Sequence, residues 1–235
     1  MDRLLTLIAF AGIAMQTAQA EIPQQPHAPG IESKDYRWDQ PSKELTRALN
    51  TKGDPKKGAI LYEDCRGCHK ANAVGRPDAG YPQLAGQHVS VLIKQMIDVR
   101  SGKRDNPRMH PFIESSVVAA KDVPNIAAYL NSLPLPTNNR KGDGKNLERG
   151  KTLYVKDCEA CHGEIGEGDA KKFYPRVTGQ HYPYLYRESL DIRDMQRRNA
   201  NTKMVKALKN YTDEDIEAVS DYISRLVAPG SSGSQ

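Results

Sequence analysis

The chain is poor in apolar and aromatic side chains: hydrophobic residues make up 38% and aromatics 6%, with one tryptophan and three phenylalanines. That is little core material for a sequence patterned as helices, as expected if an apolar body other than side chains fills part of the interior. After the first twenty residues no long hydrophobic run occurs, which excludes a membrane-spanning helix downstream. No basic stripe interleaved with aromatics accompanies the net charge of +5, which argues against a nucleic-acid partner. Carboxylates are scattered over helical patterns and histidines number six, so no acid–base constellation stands out. There are only four cysteines. No alternating strand pattern surrounds them, which removes the setting of a thioredoxin-like pair.

What the cysteines do form is one motif twice: Cys65-Arg66-Gly67-Cys68-His69 and Cys158-Glu159-Ala160-Cys161-His162. Two thiols three positions apart, followed by histidine, are what covalent haem attachment needs. The thiols add across the two porphyrin vinyl groups and the histidine binds iron. Two disulfides would not need a histidine after each pair. A four-cysteine zinc site would need the pairs together in one knuckle, and residues 69 to 157 lie between them. The motifs therefore predict two covalently bound haem c groups on Cys65, Cys68, Cys158 and Cys161, with His69 and His162 as iron ligands.

The start of the chain, Met1-Asp2-Arg3 followed by an apolar run to Met15 and Ala18-Gln19-Ala20, reads as a signal peptide over 1–20. Covalent haem is attached outside the cytoplasm, so the mature protein is expected in the periplasm. Residues 21–52 form a polar extension punctuated by Pro23, Pro26, Pro29 and Pro41. It is expected to be extended or disordered up to a short helix at Ser42 to Asn50. Trp38 in its middle has two readings, packing on a domain or meeting a partner.

From Gly58 onward the chain repeats itself. Gly58-Ala-Ile-Leu-Tyr62 answers Gly150-Lys-Thr-Leu-Tyr154, and Tyr81-Pro82 to Gln87-His88 answers Tyr174-Pro175 to Gln180-His181 at an offset of 93. Tyr129 and Leu133 match Tyr222 and Leu226. The fold expected is all-α: domain 1 at 53–135, a linker at 136–144, domain 2 at 145–228 and a flexible tail at 229–235. Each copy predicts an amphipathic helix, 88–101 or 181–198, with Val89, Leu92, Ile93, Met96 and Ile97 on one buried face. A closing helix starts near Lys121 or Thr212, where Thr212 to Asp215 resembles a capping box.

The sixth iron position separates electron transfer from catalysis, because methionine sulfur favours ferrous iron while an open position admits substrate. Met109 and Met204 follow basic segments in corresponding loops and are assigned as sixth ligands. His110 competes with Met109, Met96 reads as core, and Met195 has no counterpart in the first copy. His88 and His181 read as surface or helix-end groups. The backbone carbonyls of Pro82 and Pro175 are candidate acceptors for the second ring nitrogen of His69 and His162.

The duplicated motif, the Tyr-Pro-x-Leu-Ala-Gly-Gln stretch, the basic loop before each methionine and the closing Ile/Tyr helix resemble the two-haem cytochromes c of the cytochrome c4 type over roughly residues 56–228. The resemblance implies tandem class I cytochrome c domains in a pseudo-twofold arrangement. It implies a periplasmic electron carrier between redox protein partners, often reducing a terminal oxidase, with His69/Met109 and His162/Met204 on the two irons. Peripheral association with membrane complexes is compatible with this. The extension and the continuation His69-Lys70, where the second copy has His162-Gly163, depart from the pattern. The alternative functions are a dedicated electron-accepting subunit of a sulfur- or nitrogen-compound oxidoreductase, or a dihaem enzyme with one open axial site.

Overall fold

The computed structural model describes residues 24–228, so the expected signal peptide and the tail at 229–235 lie outside the described residues. Among these residues all regular structure is helical, apart from two isolated β-bridges, Arg76–Tyr81 and Asp169–Tyr174. The extension contributes α1 (Lys43–Leu49), which Ser42 caps through Leu45 N. The first repeat contains α2 (Pro55–Leu61), running through a 3-10 turn at Tyr62–Cys65 into α3 (Arg66–His69). It continues with α4 (Val89–Arg100), α5 (His110–Ile113) and α6 (Val123–Ser132). The second has α7 (Leu147–Asp157), α8 (Glu159–His162), α9 (Tyr182–Arg193), α10 (Thr202–Leu208) and α11 (Asp213–Ser224).

Local chemistry sets these boundaries. Asp54 accepts from Lys56 N while Pro55 occupies the first turn of α2. Thr212 and Asp215 close a reciprocal capping box on α11, as its sequence implies. Helix α9 stops at Arg193 rather than continuing to 198, because the chain turns through Met195 at φ 57°. Gly102 makes the corresponding turn in the first repeat at φ 73°. Helix α6 begins at Val123, two residues later than the patterning suggested, with Pro124 in its first turn.

In each repeat the first and last helices cross at a glycine. A Cβ on Gly58 would collide with Asn125 O, and one on Gly150 with Ala218 O. That close approach brings tyrosine rings together in a tilted arrangement, Tyr62 against Tyr129 at 5.4 Å and Tyr154 against Tyr222 at 5.6 Å between ring centroids. Both inner tyrosines are fully buried and donate to the carbonyl just after a Cys-His motif: Tyr62 to Lys70 O at 3.0 Å and Tyr154 to Gly163 O at 2.6 Å. Separate apolar cores result, one around Ile93, Ile97, Val123 and Ile126, the other around Leu153, Leu185, Ile216 and Val219.

The repeats face each other through reciprocal bonds. Gln87 and Gln180 occupy equivalent positions. The Gln87 side chain donates to Arg176 O (2.9 Å) and accepts from Arg176 N (2.9 Å). The Gln180 side chain does the same with Gln83 O (3.0 Å) and Gln83 N (3.0 Å). His88 Nε2 meets Glu167 O and His181 Nε2 meets Val74 O, each at 2.7 Å. Both histidines stand at the starts of α4 and α9, the helix-end position expected of them, but their rings bond across to the other domain instead of facing solvent. Such repetition of a bond by its 93-residue counterpart is what a pseudo-twofold axis requires.

Candidate haem sites

Each Cys-His motif sits on a single helical turn that the buried tyrosine beneath it holds in place. His69 Nδ1 donates to Pro82 O at 3.1 Å, and His162 Nδ1 donates to Pro175 O at 3.0 Å. With Nδ1 engaged, the lone pair of Nε2 is left for a metal, and the carbonyl fixes tautomer and ring orientation. Burial pushes both imidazoles below the ordinary histidine range, against the opposing effect of that carbonyl bond. A neutral imidazole is the ligating form.

All four cysteines are free. Burial raises the Cys65 thiol to about 11 and the Cys158 thiol to about 12, with Asp64 and Asp157 adding to the effect. Cys65 packs against the first core together with Met109, and Cys158 against the second together with Met204. Each domain therefore brings a motif thiol and a thioether to one apolar cluster beside a carbonyl-anchored histidine. Among the described residues no group of three or more His, Cys, Asp or Glu side chains converges to hold a bare ion. Thiols for two thioether links, a neutral imidazole and a soft sulfur in an apolar cluster are a donor set that fits covalent haem.

The two methionines stand in different local structures. Met109 precedes the single turn α5, and its N–H is held by Asn106 Oδ1 at 3.1 Å. Met204 lies inside α10 rather than in the loop expected for it. Prolines account for the difference: Pro107 and Pro111 confine the first copy to one turn, while the second has none there and Asn201 caps a seven-residue helix through Lys203 N. His110 is buried next to Met109. Met96 is in the core, whereas Met195 is exposed at its left-handed turn.

The basic segments before the methionines are less available than their sequence suggests. Arg104 and Arg197, equivalent across the repeat, both bridge Gln95 and Glu188, which are also equivalent. Arg104 donates to Gln95 Oε1 at 2.9 Å and Glu188 Oε2 at 3.0 Å. Arg197 donates to Glu188 Oε2 at 2.7 Å and Gln95 Oε1 at 3.1 Å. This square lies between the domains and engages the Arg104 guanidinium there, so that cation is not offered to a partner. Burial pushes Glu188 upward, but the Arg104 and Arg197 guanidiniums and the Arg187 bond outweigh it and hold the carboxyl at about 2. Arg108, Lys203, Lys206 and Lys209 remain exposed. Sequence reasoning missed the square and the Gln87/Gln180 pair, although both sit at the constant repeat offset that signals paired roles.

Comparison with known proteins agrees with this architecture. The family model described as cytochrome c matches residues 147–226. The cytochrome c4 of Pseudomonas aeruginosa is 31% identical over 190 residues, covering 77% of this chain and 93% of its own. A thiosulfate dehydrogenase electron acceptor of Stutzerimonas stutzeri is 32% identical over 172 residues, 69% of this chain and 78% of its own. The crystal structure of reduced recombinant cytochrome c4 from Pseudomonas stutzeri superposes with a TM-score of 0.68 at 27% identity, covering 74% of this chain and all of that one. With its two Cys-x-x-Cys-His motifs in two class I cytochrome c domains, the chain belongs to the cytochrome c4 family of dihaem c-type cytochromes.

Proposed function

We propose that the protein is an exported electron carrier of the periplasm, in which Cys65 and Cys68 hold one haem c with His69 and Met109 as axial ligands. Cys158 and Cys161 hold the other, with His162 and Met204. The observation that carries this reading is the pairing, in both domains, of a carbonyl-anchored histidine with a methionine packed in the same cluster as a motif cysteine. When bound, each haem iron supplies a one-electron couple. The chain's part would be to keep coordination full: the prolyl carbonyls orient the imidazoles, the sulfurs of Met109 and Met204 would be the further ligands, and the apolar clusters that hold them would exclude water. Full coordination leaves no place for a substrate, so the domains of 53–135 and 145–228 pass electrons between protein partners rather than perform catalysis.

Among the described residues no helix is long and apolar enough to cross a membrane, and a membrane-bound donor or terminal oxidase would be met peripherally. Exposed Lys203, Lys206 and Lys209 beside Met204, and Arg108 beside Met109, suit an acidic docking face. A second reading, a dedicated acceptor for a sulfur-compound oxidoreductase, draws on the relative named as a thiosulfate dehydrogenase electron acceptor. It shares the haem chemistry and differs in the donor. The ligand assignment is tested with Met109→Ala, Met204→Ala and His110→Ala in the holo-protein. Each methionine variant should remove about half of the methionine-to-ferric-iron band, and His110→Ala should leave it intact. A native band of only one centre's strength that Met109→Ala leaves unchanged, together with loss of the first haem's low-spin spectrum in His110→Ala, would reverse the first assignment.

A further inference from the structure

The extension does more than precede the domains. Gln25 lies against the segment that leads to Met109. Its Nε2 donates to Val99 O (2.7 Å) and Arg104 O (2.8 Å), and its Oε1 accepts from Asn106 N (2.9 Å). Asn106 in turn holds the N–H of Met109. One side chain thus ties the end of α4 to two points on the segment that leads to Met109. Two residues further on, the backbone passes through a slot between the two domains. Ala28 N donates to Gly102 O, and Ile31 N donates to Arg198 O at 2.8 Å. Gly102 has no side chain because a Cβ there would strike Pro26 O.

Arg198 grips the same stretch from domain 2. It is buried, and its guanidinium donates to Gly102 O at 3.0 Å, to His27 Nδ1 at 2.9 Å and to Ala28 O, and pairs with Glu32 at 2.7 Å. Gly102 and Arg198 belong to the turns before Met109 and Met204, so residues 25–32 are bonded to both methionine-bearing loops at once. Farther along, Glu44 of α1 pairs with buried Arg100, which donates to Ile113 O and Val118 O (2.7 Å each) just beyond Met109. The first methionine loop is therefore held by the extension on both sides.

Trp38 continues the attachment to domain 2. It stacks on Tyr174, meets the edge of Phe173 (6.1 Å each between centroids) and lies under Lys94 Nζ. The counterpart of Phe173 is Gly80, which takes φ 73° and leaves room for the Arg187 guanidinium. Phe173 adopts φ 56°, a conformation disfavoured for a bulky residue, and its ring meets the tryptophan. The twofold pattern is broken where the extension enters.

We propose that residues 25–38 form a strap that positions both sixth-ligand loops, with Gln25 the residue that keeps the Met109 loop closed. This rests on Met109 being the sixth ligand of the first iron. The strap stands to that loop as the prolyl carbonyl stands to the proximal histidine. It acts through Asn106, not by touching the iron, and is a positioning element.

The test is stopped-flow binding of cyanide to the fully oxidised holo-protein, in which cyanide must wait for a methionine to swing away. The unmodified protein should show two slow phases and the full methionine band; a missing band would refute the ligand assignment itself, before the strap is judged. Gln25→Ala, which keeps the resting band, should speed one phase about tenfold or more, in line with the loss of three half-buried hydrogen bonds, and leave the other unchanged. Gln25→Glu keeps the acceptor for Asn106 N and should fall between. Equal acceleration of both phases would make Gln25 a general stability residue, and no acceleration would remove its role; either overturns the proposal. Should Gln25→Ala not fold, hydrogen exchange on the unmodified holo-protein decides. The amides of Ala28, Ile31 and Asn106 should exchange as slowly as those of α4, and fast exchange there would refute the strap.

Discussion

Replacing Lys70 by glycine should stabilise the first domain. Lys70 follows the first Cys-His motif with φ 63° and ψ 163°, a region essentially reserved for glycine, and its partner Gly163 sits at φ 82° and ψ 163°. The conformation is imposed, since Lys70 N bonds to Arg66 O while Lys70 O accepts the buried Tyr62 hydroxyl. Its side chain is exposed and contributes no hydrogen bond or ion pair, so truncation loses little. Relief of a non-glycine residue there is worth about 1–3 kcal/mol. The freer unfolded chain of glycine takes back about 0.4–1 kcal/mol. The net is a stabilisation of about 1 kcal/mol, or roughly 4–8 °C in melting temperature for a domain of this size. Guanidinium unfolding of the holo-protein followed by circular dichroism reads this as a higher midpoint at constant slope for the transition of the first domain. The reciprocal change, Gly163→Ala, should lower the second domain's midpoint by a comparable amount. A Lys70→Gly protein that is no more stable, or less so, would show that the strained backbone is not what distinguishes the two motifs.

Other consequences concern the domain contacts and the partner face. Glu188 is held at about 2 against an ordinary 4.5, so its contribution is complete above about pH 4.5 and is lost as pH falls toward 2. The shift corresponds to about 3 kcal/mol, and urea unfolding between pH 6 and 2.5 should show a steeper loss for the native protein than for Glu188→Gln. Gly58→Ala and Gly150→Ala each force a methyl into a carbonyl of the facing helix and should cost about 1–3 kcal/mol; a neutral melting curve for either would contradict the helix crossing. Reversing Lys203, Lys206 and Lys209 together should slow electron exchange with an acidic partner about tenfold at low salt, the difference vanishing at high salt. Equal rates at low salt would move the docking face elsewhere.

The covalent motifs, the duplication and the helix order were legible in the sequence because each depends on local spacing: Cys-x-x-Cys-His, a constant offset, and an apolar face on α4. What was not legible came from tertiary partners. Arg104 reads as a surface cation in a basic run, and only the approach of α9 turns it into one corner of a half-buried square with Glu188. His88 and His181 are the helix-start residues that their pattern suggests, but nothing local announces the other domain's carbonyls that their rings meet. The extension has the proline-bearing, polar composition of a loose segment. It is ordered because Gln25, Ile31 and Trp38 meet groups on the two domains that no local pattern announces. The placement of Met204 in a helix was missed for a smaller reason, the lack of prolines that confine the first copy.

The most direct test of the account is an optical and potentiometric titration of the purified holo-protein. The account predicts two low-spin centres, each carrying the methionine band when ferric, that take up one electron apiece at positive potentials and do not bind peroxide. A high-spin centre, or one that lacks the band and binds peroxide readily, would contradict it and move the protein from electron carriage to catalysis.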